Sequence, residues 1–485
     1  MSGSFRKLGL SSPPTNFGGL SLREHVAVWL LAATLYGQFI PLGSNSLLLG
    51  AAAATADIIC AIVVFALLSP GLPTGFWGAI AWPAALFLLA FGWAAAGLLP
   101  IPAETWATGF KTVAGARTAS LLPDSTIVEL SKLGGAGALV LAGALIGARG
   151  RRLQAALSAV LAGGAIYTAL ALGLYSFSPD EVFGVSKGAH QWRFTATLLN
   201  GNAAGCALAA LIALAAGNIR LSLNKLAEAP SGLKTQPAQE LALTTVYLFV
   251  FAAACGMTRS RAALACAVAA VLIVALWPGR RPVKRRGRSR FLGYGGLCGL
   301  LLTAAVAAGV MFSGARTFER TEDLRAGLLD RAAAYARIVE DLRRAPWFGY
   351  GLGSFTTVNL HDLRPSEVMT VWNFRAAHDA ALQAALEGGL PFLFLLATIL
   401  AILVAKMAIS SRSSAYWPVR RSLVAAGLVL LACSSIDIAL NVPAVAALAM
   451  VLAGFALGGS HTPRQERPLG WAATRPRGPQ LELSG

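Results

Sequence analysis

The longest polar stretch of this chain, about residues 328–391, holds side chains that could bind and react with an anion. Arg331 lies between Leu328 and Tyr335 on the apolar side of a predicted amphipathic helix. An arginine on the packed face of a helix requires an anionic partner. His378 follows among further arginines, and a neutral imidazole can accept a proton. The stretch therefore predicts an anion-binding site in which His378 acts as a base, with a structural role for His378 as the alternative.

A second basic cluster is the short segment Thr258-Arg259-Ser260-Arg261, which stands between two apolar runs. Ser260 or Thr258 can cap the helix that follows, and this places Arg261 in its first turn. A cation there opposes the helix dipole. A bound phosphate would reverse that penalty, because backbone N–H groups, the dipole and a guanidinium would all converge on one anion. The alternative is that both arginines reach lipid headgroups.

The rest of the polar stretch is predicted to act mainly as scaffold. The glycine-rich segment 349–354 lets the backbone approach a neighbour closely. A second helix is predicted from about Arg375 towards Gly389, with His378 on one face and Glu387 on the opposite face. Any carboxylate that orients His378 must therefore come from another segment. Three arginines of the first helix are expected to be more solvated: Arg337, Arg343 and Arg344.

The elements that position these residues are predicted to be membrane spans. Hydrophobic residues make up 56% of the chain and charged residues only 13%, whereas soluble proteins carry about 25% charged residues. This predicts an all-α polytopic membrane protein. About twelve apolar runs approach the roughly 20 residues that a span needs, near 25–43, 46–68, 76–99, 132–149, 153–176, 199–218, 240–257, 261–278, 291–313, 389–408, 421–437 and 441–459.

Lys and Arg predict the orientation of these spans. With the amino terminus in the cytoplasm, most of the 40 basic residues fall in cytoplasmic segments and few in short outer ones. Both termini are then cytoplasmic and the long insert is periplasmic. The predicted parts are a cytoplasmic tail at 1–24, transmembrane helices 1–9 at 25–313, a periplasmic helical loop at 314–388, transmembrane helices 10–12 at 389–459 and a cytoplasmic tail at 460–485.

Several other features favour structural explanations. The basic run at 280–290 is expected to anchor the chain on anionic membrane lipid, so no nucleic-acid partner is predicted. The six cysteines lie in apolar runs and are expected to be small buried side chains without disulfides or metal. Asp57 is a lone acid in the second predicted span, where a functional and a structural role stay open.

The chain resembles the O-antigen ligase/Wzy-type polymerase family. The resemblance covers about residues 190–460 and rests on these motifs: Arg331…Tyr335…Pro346-x-x-Gly349-Tyr350-Gly351…Ser354-Phe355, His378-Asp379-x-x-Leu382-Gln383…Glu387-x-Gly389, Thr258-Arg259-Ser260-Arg261, Arg193…Asn200-Gly201-Asn202 and Asp437…Asn441-Val442-Pro443. Three positions depart from the family pattern. Asp379 stands where the family usually has Asn, a glycine is missing after Arg193, and Gly201 stands where the family usually has Pro.

The resemblance implies a C-type glycosyltransferase-like fold in the cell inner membrane, with no metal and no cofactor. The implied donor is a glycan linked to undecaprenyl pyrophosphate, and the acceptor is lipid A core or a growing glycan. Carried onto this chain, the resemblance implies that Arg261 and Arg331 bind the pyrophosphate and that His378 activates the acceptor hydroxyl. Arg193 and Arg259 are further candidates for binding the same anion.

Two other function classes fit part of the sequence. A transporter or flippase of lipid-linked saccharides would explain the arginines but not the helical insert with His378. A non-catalytic assembly subunit would tolerate loss of both His378 and Arg261. Because ligases and polymerases share these motifs, both kinds of acceptor stay open.

Overall fold

The fold is built almost entirely from α-helices. This computed structural model describes residues 19–100, 118–230, 233–277, 321–361, 363–365, 368, 372, 374–410 and 416–459. Within these ranges the α-helices are α1 Leu22–Phe39, α2 Leu47–Leu68, α3 Phe76–Ala96, α4 Pro123–Gly147, α5 Gly150–Phe177, α6 Gly201–Glu228, α7 Thr235–Met257, α8 Arg261–Leu276, α9 Thr321–Arg344, α10 Phe355–His361, α11 Ala380–Ser410, α12 Trp417–Ser434 and α13 Pro443–Gly458. Two short antiparallel strands, β1 Glu181–Val182 and β2 Val185–Ser186, form a hairpin between α5 and α6.

The described helices confirm an all-α polytopic membrane protein. Eight of them are long and apolar enough to cross a membrane, namely α2 to α7, α11 and α12. The apolar helices α8 and α13 are shorter. The span predicted at 291–313 lies outside the described residues, so the number twelve stays a prediction.

Helix α6 is the most enclosed of these eight spans. Of its most apolar window, 89% is buried, because α7, α8 and α12 all pack against it. Small side chains on α6 allow this close packing, as is common between membrane helices. The first turn of α6 therefore lies among the ends of its neighbours.

A second packing centre joins α4 to α2 and α13. It depends on glycine, since a Cβ atom built on Gly143 of α4 would lie 2.7 Å from the carbonyl oxygen of Val451 and 3.1 Å from Cα of Gly454. Larger side chains at such crossings would push the helices apart. Helices α12 and α13 also pack together, and this fixes the short connection between them.

The glycine-rich segment 349–354 approaches the backbone of α11, as its composition predicts. Within α11, Gly389 has φ +80° and ψ 172°, which breaks the helix into a short first part and the membrane span. A Cβ atom there would collide with the carbonyl of Trp347. Glu387 is buried, and its Oε1 accepts from the backbone N–H of Phe355 at 3.1 Å and from Gln383 Nε2 at 2.7 Å.

Two expectations about the polar stretch are wrong. The second helix begins at Ala380 and not near Arg375, so His378 precedes the helix. Arg337 is buried rather than solvated, because its guanidinium donates to the side-chain oxygen of Asn359 inside the stretch. Helical periodicity placed Arg337 on the solvated side of α9, but packing within the folded stretch buries its side chain.

Asp57 has a partner on a neighbouring helix. Nε2 of Gln38, in α1, donates to Oδ1 of Asp57 at 2.6 Å, and both side chains are buried. A buried polar pair of this kind links α1 to α2. This contact favours the structural alternative for Asp57.

Candidate active site

His378 is held immediately before α11 by contacts from two directions. It has φ +55°, in the left-handed region. Oη of Tyr335, in α9, donates to the carbonyl of His378 at 3.0 Å, and the ring of Phe374 lies 4.7 Å from the imidazole between centroids. The next residue, Asp379, caps α11 by accepting from the N–H of Leu382 at 2.8 Å. Its side chain therefore belongs to the helix start.

The carboxylate that faces His378 comes from Asp437, in the connection between α12 and α13. Nδ1 of His378 lies 3.3 Å from Oδ1 of Asp437. A carboxylate at Nδ1 favours the tautomer that carries its proton there and leaves Nε2 free to accept one. The sequence predicts that any carboxylate orienting His378 comes from another segment, because Glu387 lies on the opposite face, and Asp437 is such a carboxylate.

Asp437 is itself fixed by hydrogen bonds. Its Oδ2 accepts from Nδ2 of Asn202, in the first turn of α6, and its Oδ1 accepts from the N–H of Ile438 at 2.7 Å. Burial raises the pKa of Asp437, but the neighbouring His378 and the hydrogen bonds from Ile438 and Asn202 outweigh it, so the pKa lies below its usual value. Asp437 is therefore an ionised carboxylate that can stabilise a positive imidazolium.

A second histidine, His190, is attached to the same turn of α6. The N–H of Gly201 donates to Nδ1 of His190 at 3.4 Å. Burial and the charges of Arg193 and His378 lower the pKa of His190, and Asp437 offsets this only in part. His190 is thus neutral at pH 7. The first turn of α6 contacts His190 directly through Gly201, and it contacts Asp437, the partner of His378, through Asn202.

Arg193 lies in the segment that leads from His190 into α6. Its N–H donates to the carbonyl of His190 at 3.2 Å, and the next N–H, of Phe194, donates to the carbonyl of Met257 at 3.0 Å. The second bond ties the segment to the end of α7. Nζ of Lys187, which is buried, lies 3.4 Å from the carbonyl of Arg193. The backbone of Arg193 is therefore held on both sides beside His190.

The turn between α7 and α8 packs on the first turn of α6. A Cβ atom on Gly201 would lie 3.1 Å from the carbonyl oxygen of Thr258. Ser260, rather than Thr258, caps α8, since its Oγ accepts from the N–H of Ala263 at 3.4 Å. Arg261 is consequently the first residue of α8. The amino-terminal ends of α6 and α8, both positive ends of helix dipoles, lie side by side.

The structure gives fewer contacts for the two remaining predicted residues, Arg259 and Arg331. Arg259 has φ +56° and lies near Tyr175 of α5, since its charge acts on that phenol. Arg331 is in α9, one helical turn before Tyr335, the residue that binds the carbonyl of His378. The side chain of Arg331 lies outside the described residues.

These contacts define a site at one end of the bundle, which we call the site end: His378, Asp437, Asn202, His190 and Arg193, with Thr258–Arg261 beside them. It combines a histidine oriented by a carboxylate with two helix amino termini and several arginines. Such a set can bind a phosphate-like anion and accept a proton from a nearby hydroxyl. Among the described residues, no group of His, Cys, Asp and Glu side chains is arranged to hold a metal ion.

The sequence-based site prediction did not include Asp437, Asn202 and His190. Asp437 and Asn202 do lie in two of the motifs that resemble the family. One sequence feature could have indicated Asp437: helical spacing gives His378 no carboxylate from its own segment, so a partner from another segment is needed. The described acids near His378 in the chain, Asp379 and Glu387, both serve the backbone.

A comparison with protein families matches a segment that contains part of the site. Residues 246–397 match the family model of O-antigen ligase. This segment belongs to the O-antigen ligase family. The resemblance seen in the sequence is thereby confirmed. The match includes Arg259, Arg261, Arg331 and His378, whereas Asp437 lies beyond it. No curated protein matches the chain.

Proposed function

We propose that this protein transfers a glycan from undecaprenyl pyrophosphate to an acceptor hydroxyl at the periplasmic face of the inner membrane. O-antigen ligation or polymerisation is the general activity of the matched family. The observation that carries the more specific proposal is the His378–Asp437 pair, 3.3 Å apart, beside arginines and two helix amino termini.

The basic side of the site would hold the pyrophosphate of the donor. Arg261 and Arg331 are the principal ligands in this proposal, and Arg193 and Arg259 are supporting ligands. Guanidinium groups bind phosphate oxygens through paired, charge-assisted hydrogen bonds. The positive ends of α6 and α8 add to this attraction. A cation at the start of α8 is unfavourable in isolation, and a bound anion removes that cost.

The acidic side of the site would activate the acceptor. Nε2 of His378 takes the proton of the acceptor hydroxyl while the acceptor oxygen forms a bond to the anomeric carbon of the glycan. The bond from that carbon to the pyrophosphate oxygen breaks, and its electron pair stays on the pyrophosphate. Asp437 stabilises the imidazolium that forms. The proton then leaves His378 for the released pyrophosphate or for water.

The arginines supply the charge that neutralises the leaving group, so this mechanism uses no metal ion. The acceptor is either lipid A core or a growing glycan. The orientation follows from the excess of Lys and Arg in the short segments assigned to the cytoplasm, which puts both termini inside and the site end outside.

The decisive experiment is a transfer assay on protein reconstituted in liposomes with EDTA present. Wild-type protein should convert undecaprenyl-pyrophosphate-linked glycan and acceptor to product, and His378→Ala should lower the rate by about 10²–10⁴-fold. His361→Ala is the matched control, because His361 is an exposed histidine of the same stretch, in α10. Equal rates for His378→Ala and wild type, with equal amounts of folded protein, would exclude the proposal.

The same liposomes separate transfer from transport. A flippase would move the lipid-linked glycan between leaflets without cleaving its pyrophosphate linkage. Release of undecaprenyl pyrophosphate in proportion to product therefore supports transfer. Movement between leaflets with no release would instead support the transporter.

A further inference from the structure

Trp192 occupies a backbone position that normally takes glycine. Residues 190–193 form a turn that is closed by the N–H of Arg193 donating to the carbonyl of His190 at 3.2 Å. Gln191 has φ −52° and ψ 146°, and Trp192 has φ +59°. These angles follow the type II pattern, in which the second central residue has positive φ and is usually Gly or Asn. The sequence thus places its largest type of side chain where a side chain is least favourable.

The surrounding residues hold Trp192 in this conformation from both sides. The N–H of Trp192 donates to Oδ1 of Asp180 at 3.1 Å, and Oη of Tyr175 donates to the carbonyl of Trp192 at 3.1 Å. Nζ of Lys187 lies 4.7 Å from the centroid of the Tyr175 ring, which braces that phenol. Strain that is held by several neighbours at once is characteristic of ligand-binding positions.

Trp192 is mostly exposed rather than packed in the core. The residue is 59% exposed, although its backbone is fixed by two hydrogen bonds. It stands between His190 and Arg193, both of which belong to the site end. The turn therefore exposes an aromatic surface directly next in the chain to a residue of the proposed pyrophosphate site, Arg193.

Phe183, in the same loop, provides an instructive contrast. It is 58% exposed and has φ +52°. Phe183 and Gly184 are, however, the two central residues of the β1–β2 hairpin, where positive φ at both positions is the usual turn geometry. The backbone of Phe183 is thus explained by the hairpin. The hydrogen bonds that fix Trp192 come instead from α5 and from Asp180, beside the site.

We propose that Trp192 is the floor of a saccharide subsite and that its indole stacks on a sugar ring of the lipid-linked glycan. A pyranose has a face of C–H groups and a rim of hydroxyls, and the electron-rich face of an indole complements that C–H face. Arg193, adjacent in the chain, belongs to the proposed pyrophosphate site, so the sugar next to the pyrophosphate is the one within reach. This inference rests on the proposed donor, whose pyrophosphate Arg193 helps to hold.

The test measures binding of two probes, undecaprenyl pyrophosphate with and without its glycan, to detergent-solubilised full-length protein. Trp192→Gly should weaken binding of the glycosylated lipid by about three- to tenfold and leave binding of the sugar-free lipid unchanged. Its melting temperature should equal or exceed that of wild type, since glycine relieves the positive φ. Trp192→Phe should keep most of the affinity, because it keeps an aromatic face.

Phe183→Gly is the matched control and should leave binding of both lipids unchanged. Trp192→Leu distinguishes the sugar subsite from membrane anchoring, since leucine keeps an apolar surface for lipid but has no aromatic face. The proposal would be overturned if Trp192→Leu bound the glycosylated lipid as tightly as wild type. It would also be overturned if Trp192→Gly lowered the melting temperature and left the affinities for both lipids at their wild-type values. Because binding is measured without turnover, a protein that fails to transfer glycan would still test the subsite.

Discussion

The two ends of α8 both carry arginines, but the arginines meet opposite ends of the helix dipole. At the site end, Arg261 is the first residue of α8, where backbone N–H groups make the environment positive. At the other end, which we call the distal end, Nη1 of Arg220 donates to the carbonyls of Val274 and Ala275. Nη1 of Arg421 donates there to the carbonyl of Trp277.

The distal arginines are explained by the protein's own structure. The last carbonyls of a helix lack intrahelical donors, and a guanidinium both pairs with them and matches the negative end of the dipole. Arg220 and Arg421 also stack on Trp417, at 4.4 and 4.2 Å from the ring centroid. Their position therefore stabilises the packing of α6, α8 and α12.

At the site end Arg261 stands at the positive end of a helix dipole, where an anion binds favourably. In the proposed function that anion is the pyrophosphate of the donor. The number of arginines is thus a poor guide to function in this protein. We propose that the polarity of the helix end next to an arginine distinguishes the distal arginines, which stabilise packing, from those of the proposed anion site.

The strongest test of the site end concerns Asp437. Asp437→Asn keeps the shape of the side chain but removes the charge that stabilises an imidazolium at His378. We expect the transfer rate to fall by about 10²–10⁴-fold. Rates of transfer in liposomes, compared at equal amounts of folded protein, provide the measurement.

The control for this substitution is Asp57→Asn. Asp57 is also a buried acid that accepts from an amide, Gln38, but its partner is in α1 and it makes no described contact with His378. Its substitution should leave the transfer rate within about twofold of wild type, as for residues outside the chemistry. If both variants lost the same activity, the loss would reflect general damage to the bundle and not the chemistry of Asp437.

A smaller effect compares the two ends of α8 directly. Arg421→Gln should lower the free energy of unfolding by about 1–3 kcal/mol, because the carbonyl of Trp277 loses a charged donor. Arg261→Gln should raise the free energy of unfolding by about 0.3–1 kcal/mol, because it removes a cation from the positive end of the helix dipole. It should also weaken binding of undecaprenyl pyrophosphate by about ten- to hundredfold.

Thermal melting in detergent and lipid binding measure the two properties on the same samples. The comparison between the ends fails if Arg261→Gln destabilises the protein as much as Arg421→Gln does. It also fails if Arg421→Gln is the variant that loses lipid binding.

The smallest expected effect is a pH dependence of stability that comes from the site end. Burial and Arg193 lower the pKa of His190 in the folded protein. The unfolded chain then binds the proton more readily, so stability is complete above about pH 6.5 and declines as the pH falls further. The pKa of Asp437 is also lowered, and its contribution is lost only below about pH 3.9.

Melting temperatures at pH 7.5 and 5.5 measure the contribution of His190. The decrease seen in wild type should become smaller in His190→Gln. Arg421→Gln should retain the whole decrease, because guanidinium groups do not titrate in this range. An equal decrease in wild type and His190→Gln would assign the pH dependence to other groups.

Local features of the fold could be predicted because they depend on neighbouring residues. The boundary between α7 and α8 follows from the cap at Ser260 and from the apolar runs around it. The glycine segment 349–354 and the scaffold role of Glu387 were likewise readable from composition and helical spacing. Arg337 and the start of α11 were predicted wrongly, since packing between α9, α10 and α11 overrides helical periodicity there.

The sequence by itself determined that this is an all-α membrane protein with a histidine and arginines in polar segments between apolar runs. Length, hydropathy and short motifs carry that information, because a membrane span and a helix cap are local in the chain. Only the tertiary structure decided that Asp437 faces His378 and that His190 and Asn202 share the first turn of α6. Those side chains come from the connections between different helices. They come into contact because of how α6, α8, α12 and α13 pack, and the periodicity of a single segment does not predict that packing.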